Sequence, residues 1–161
     1  MIRNILAVVA GYSSMMGAVF ILLTSAYYAF GTERAFEPGS YKTSLAWCIT
    51  SLILGIPAAL LGGWICVRVA ASHKAVTALV VVVALLGLLI AIPTFSATPV
   101  AEPRAANVPN LEAMTKAQTP PWVALLNVVV GVGGVLIGAR RHPRKVTLSS
   151  LQSPVSRPPG D

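Results

Sequence analysis

The stretch LAWCITSLILGIPAALLGGWICVRVAA, residues 45–71, decides how the rest of the chain is read. Its only charge is Arg68, near its end, and as a helix it would be about 40 Å long against a hydrocarbon core of about 30 Å. It therefore reads as a membrane span. Ser51, Gly55, Ala59 and Gly63 recur every fourth residue along one side, the pattern that lets a second helix approach closely. Trp47 and Trp64 stand near its two ends, where aromatic rings favour the membrane interface. Pro57, in the interior, removes a backbone donor and frees the carbonyl of Ile53, which predicts a kink directed away from the small-residue ladder. A gating hinge and a fixed kink both fit that proline.

The whole chain agrees with this reading. Of 161 residues, 55% are hydrophobic and 11% charged, and the mean hydropathy is +0.75. A soluble domain carries about a quarter charged residues. Three further apolar runs, residues 5–30, 75–95 and 122–139, join 45–71 as spans. The expected fold class is thus all-α, an integral membrane bundle of four transmembrane helices over residues 1–139. A strand reading fails for these runs because they are too long and lack alternation. The first run follows Arg3 and resembles a signal peptide, but it exceeds the usual 7–15-residue apolar core and no small-x-small site ends it, so an uncleaved anchor is expected. In it Gly11 and Ala18 lie seven residues apart on a small-residue face, and Gly134 and Gly138 form a GxxxG pair in the last span.

Between the spans lie a short polar connection, GTERAFEPGSYKT at 31–43, a basic turn around His73 and Lys74, and a proline-rich loop at 96–121. Within that loop, Asn110 is placed to cap a short helix running through Gln118, with Glu112 and Lys116 paired at i,i+4. An extended solvated loop fits the same residues. The tail, residues 140–161, opens with the basic cluster RRHPRK and continues rich in Ser and Pro, with little to bury, so it is expected to be disordered.

Charge placement gives the topology. With four spans, Arg3, Arg68, Lys74, Arg140, Arg141, Arg144, Lys145 and Arg157 share one side with Asp161, about +7, while the other side holds four basic and four acidic residues. The positive-inside rule then makes the termini cytoplasmic, N-in/C-in, and accounts for the net charge without a nucleic-acid partner. The second and fourth spans each begin near a tryptophan and carry a Gly-Gly pair before a terminal arginine, GGWICVR and GGVLIGAR. A duplicated helical hairpin is one explanation. The frequency of small residues in any such span is the other.

No span holds an ionisable side chain of the kind that marks proton relays and ion pathways. Asn127 is the polar residue at depth that stands out. It suits an interhelical hydrogen bond, on the order of 1 kcal/mol, or contact with a solute. Cys48 and Cys66 are eighteen residues apart on one helix, about 27 Å, and cannot bridge. Without a CxxC or Cys/His spacing, neither a metal nor a cofactor is expected. Cys66 reads as a buried thiol or an acylation site. Arg140, Arg141, Arg144 and Lys145 are candidates for contact with anionic lipids at the cytoplasmic face, each contributing about 1 kcal/mol.

Several four-span families are excluded by what their chemistry needs: a carboxylate in the first span for small multidrug transporters, CxxC for disulfide generators, cysteine-bearing outer loops for claudins and tetraspanins. The segments IRNILAVVAGY, FGTERAFEPGSY and GGWICVRVA resemble small four-span inner-membrane proteins of unknown function found in bacterial genomes, over residues 2–95. That resemblance implies a multi-pass protein of the bacterial inner membrane and no particular activity. The expected function is non-enzymatic: helix association as a homo-oligomer or as an accessory subunit with another membrane protein. The alternative is a transporter or channel for a neutral or hydrophobic solute, along a path beside Pro57 and Asn127.

Overall fold

The computed structural model describes residues 2–70, 73–96, 112–113 and 116–140. Its elements are α1 (Ile2–Phe30), α2 (Thr32–Ala35), α3 (Leu45–Val69), α4 (His73–Ser96) and α5 (Pro121–Arg140). Four of them, all but α2, are long and apolar enough to cross a membrane. The protein is an all-α bundle; among the described residues the β pairing is limited to two isolated bridges, Phe36–Thr43 and Lys42–Gln118.

Each helix boundary has a local cause. Gly31, at φ 71°, lets the chain leave α1 in a conformation that L side chains rarely adopt. Ser44 caps α3: its hydroxyl accepts from the Trp47 amide at 3.1 Å and donates to the Arg34 carbonyl at 2.6 Å. Pro121 occupies the first position of α5, where a missing N–H costs nothing. The second span ends at Val69, with Ala70 already extended, two residues short of the expected 71. The first reaches back to Ile2, which places Arg3 in its opening turn. There the Arg3 Nε donates to the Val69 carbonyl at 3.1 Å, tying the start of α1 to the end of α3.

The bundle is ordered by how closely backbones approach. α3 stands between α1 and α5, and the Gly62–Gly63 pair explains how. Successive residues on a helix point about 100° apart, so adjacent glycines open two faces at once. Gly62 faces α1, where an added Cβ would stand 2.8 Å from Met15 Cβ and 2.9 Å from the Gly11 carbonyl oxygen. Gly63 faces α5, where an added Cβ would overlap the Val135 carbonyl. The ladder continues along that second face: Gly55 lies beside Val130, Ala59 against Gly134, and Gly138 against the Leu60 carbonyl. Residue numbers on α3 and α5 rise together, so this is parallel packing of two small-residue ladders within one chain. Gly133 meets nothing within 4 Å. The two Gly-Gly pairs are therefore not equivalent in packing.

At the end of the bundle that carries the termini, Ala7, Cys66, Ala75, Val76, Leu79, Val83 and Val135 form the main core. At the opposite, loop end, Tyr27, Ala35, Phe36 and Ala113 form a second cluster with Trp47 packed on it. Tyr27 is its centre, with edge-on ring contacts to Phe36 at 6.3 Å and Trp47 at 5.6 Å. The two loops also join there. The Thr43 amide donates to the Gln118 carbonyl at 3.1 Å and the Gln118 amide to the Tyr41 carbonyl at 2.9 Å. Of the two readings open for this loop, a short helix through Gln118 or an extended segment, Gln118 follows the extended one, because Tyr41 and Thr43 capture its backbone. Glu112 and Ala113 are helical, and Lys116 pairs with Glu112 at 3.2 Å. Asn110 lies outside the described residues.

Candidate functional site

α1 and α4 touch near the terminal end, where an added Gly11 Cβ would lie 3.1 Å from Leu79 Cδ2. Toward the loop end a cleft of about 390 Å³ opens between them, floored by α5. α1 lends Tyr12, Met15 and Met16; α4 lends Leu86, Gly87, Ile90 and Thr94; α5 lends Ala124, Asn127 and Val128. Gly87 lets α4 close onto α5 here, since a Cβ would stand 2.8 Å from Val128 Cγ2. Ala117 and Thr119, just before α5, form part of the rim.

The chemistry of this cleft is neutral. No Asp, Glu, Lys, Arg or His lines it. Thr94 donates to its own helix at the Ala91 carbonyl, 2.6 Å away. Tyr12 is half-buried and Asn127 exposed into the cleft, and among the described residues neither side chain has a hydrogen-bond partner. Asn127 sits six residues into α5, about 9 Å from its start, and Tyr12 ten residues into α1, about 15 Å. An amide or hydroxyl left unpaired at such depth costs roughly 4–8 kcal/mol relative to water if only hydrocarbon surrounds it. Asn127 presents a donor and an acceptor, and the Tyr12 phenol can serve as either.

The other singled-out residues fall elsewhere. Gly11 is buried against α3 and α4; Ala59, Gly63, Gly134 and Gly138 are buried in the α3/α5 seam, where Gly55 is half-buried; and Ala18 is half-buried on α1. The Ser51 hydroxyl donates to the Cys48 carbonyl of its own helix at 2.8 Å. Pro57 is exposed on α3, a helix that lends nothing to the cleft, so no path joins it to Asn127 there. Cys48 and Cys66 are both buried; Cys66 packs against Gly11, out of reach of an acyl donor. Arg140 is exposed at the terminal end, and Arg141, Arg144 and Lys145 lie outside the described residues. Among the described residues no three His, Cys, Asp or Glu side chains gather into a possible metal site.

Sequence reasoning missed Tyr12, Thr94 and Gly62 as contributors. Tyr12 was legible as a polar group inside a span, but that it lines the same cleft as Asn127 was not. Comparison with protein-family models, curated proteins and solved structures finds no match to this chain.

Proposed function

We propose that this chain is a non-enzymatic, multi-pass protein of the cell membrane that takes a neutral, largely apolar solute into the cleft between α1, α4 and α5. The observation that carries this reading is the pair of unpartnered polar side chains, Tyr12 and Asn127, in a cleft without ionised groups. A solute bearing a hydroxyl or carbonyl would complete both while leaving its apolar body against Met15, Met16 and Ile90. A volume of about 390 Å³ falls in the usual range for small-ligand pockets, about 300–1,000 Å³. Unbranched methionines suit a site that tolerates several shapes. The termini face the cytoplasm in this reading, since Arg3, Arg68, Lys74 and Arg140 all lie at that end, as the positive-inside rule requires of a bacterial inner-membrane protein. The cleft then opens toward the outer leaflet, and the protein works as a carrier or receptor for its solute.

A long-chain alcohol with a diazirine in its tail tests the reading in reconstituted vesicles. Cross-linking to peptides of α1, α4 and α5 is expected, with competition by octanol and none by decane. Asn127→Leu and Tyr12→Phe each remove about 1 kcal/mol of hydrogen bonding, about fivefold in labelling. Labelling that is equal in the native protein and both variants would sink the proposal.

The second reading is association, as a homo-oligomer or with another membrane protein. Its support is Gly17, which meets nothing within 4 Å and stands four residues after Ser13 on an exposed face of α1. Gly17→Leu should abolish any oligomer seen by single-molecule photobleaching in liposomes while leaving the monomer folded; an unchanged subunit count rules that face out.

A further inference from the structure

A second opening on the α1/α4 seam, at the terminal end, is built differently. A groove of about 280 Å³ lies between the first turns of the two helices, with Asn4 and Lys74 at its mouth and Ile5, Val8, Val9 and Ala78 along its walls. The Gly11 and Leu79 contact separates it from the deeper cleft. Asn4 is two residues into α1 and Lys74 one residue into α4. Both therefore stand at the level where a spanning bundle meets lipid headgroups.

The groove has a polar, cationic mouth and an apolar bed. Among the described residues, neither Asn4 nor Lys74 has a hydrogen-bond or ion-pair partner. Four of the described cations, Arg3, Arg68, Lys74 and Arg140, lie at this end without a described carboxylate, while Glu33, Glu37 and Glu112 lie at the other end together with Arg34, Lys42 and Lys116. Among the described residues, no carboxylate therefore stands near enough to neutralise Lys74. The bed is hydrocarbon, which an inorganic anion would leave uncovered. One molecule covers both parts: a lipid whose phosphate reaches the mouth and whose acyl chain lies in the bed.

We infer that this groove is a binding site for one anionic phospholipid, its phosphate held by the Lys74 ammonium and the Asn4 amide and one acyl chain lying along Ile5, Val8, Val9 and Ala78. The lipid fills the seam between α1 and α4 from the terminal side. Selection is for negative headgroups, because Lys74 attracts the net charge that a zwitterionic lipid lacks.

Native mass spectrometry of the full chain, released from vesicles of equal phosphatidylglycerol and phosphatidylcholine, tests this site. One phosphatidylglycerol should be retained in preference to phosphatidylcholine. Lys74→Gln should lower its retention about fivefold, the effect of one basic residue near an anionic surface, whereas Arg140→Gln, at the same end but outside the groove, should not. Ala78→Trp changes no charge and fills the bed from an exposed position, so it should also displace the lipid. Equal losses in Lys74→Gln and Arg140→Gln, full retention in Ala78→Trp, or displacement by inorganic phosphate would each overturn the inference.

Discussion

At the scale of single residues, the glycines of this chain divide by what stands opposite them. Gly63 faces the Val135 backbone and Gly138 the Leu60 backbone, which cannot swing aside as a side-chain end can. Gly133, one residue from Gly134, faces open space. Leucine is a good helix former, so the two sites differ in packing alone. Gly63→Leu is expected to destabilise the bundle by about 3 kcal/mol or to prevent folding, and Gly133→Leu to stay within about 0.5 kcal/mol. Unfolding in mixed micelles, followed by circular dichroism, measures both; equal effects would contradict the parallel α3/α5 seam. Asn127 shows the opposite limit of legibility. Its presence at depth is plain in the sequence, but whether it meets a neighbour or a cleft depends on where α1 and α4 diverge.

At the scale of elements, the cap of α3 joins two functions in one side chain. Ser44 satisfies the Trp47 amide and holds the Arg34 carbonyl at the end of α2. It thereby fixes the start of α3 beneath the Tyr27, Phe36 and Trp47 rings. Ser44→Ala is expected to cost about 1 kcal/mol and to raise amide hydrogen exchange at residues 45–48 and 32–36 together. Exchange rising in α3 alone would mean that the α2 tie contributes nothing. The spans and breakers were readable from apolar runs, Gly31 and Pro121. The pairing of Gln118 with Tyr41 and Thr43 was not, because it joins backbones that carry no side-chain pattern.

At the scale of the whole molecule, the GxxxG pair at 134 and 138 looks in sequence like an oligomerisation face. In the fold it is occupied by the chain's own second span. The α1/α4 seam, with no comparable glycine ladder, is where the bundle opens. The proposed orientation rests on charge placement alone, and a cytoplasm-active or export-active reporter fused after Asp161 should report the cytoplasm; activity on the export side would reverse the proposed topology and point the cleft at the inner leaflet.

Hydropathy, length and charge placement are additive along a chain, so the sequence by itself determined four spans, an all-α class and one strongly basic side. Which small face meets which helix depends on spatial neighbours, and the same ladder serves equally well within a chain or between chains. Only the tertiary structure decided that the ladder from Gly55 to Gly63 lies against α5, that Gly62 turns the same helix toward α1, and that Tyr12 and Asn127 share a cleft. The stretch 45–71 thus announces close packing in sequence, and the backbone contacts at Gly62 and Gly63 settle with what.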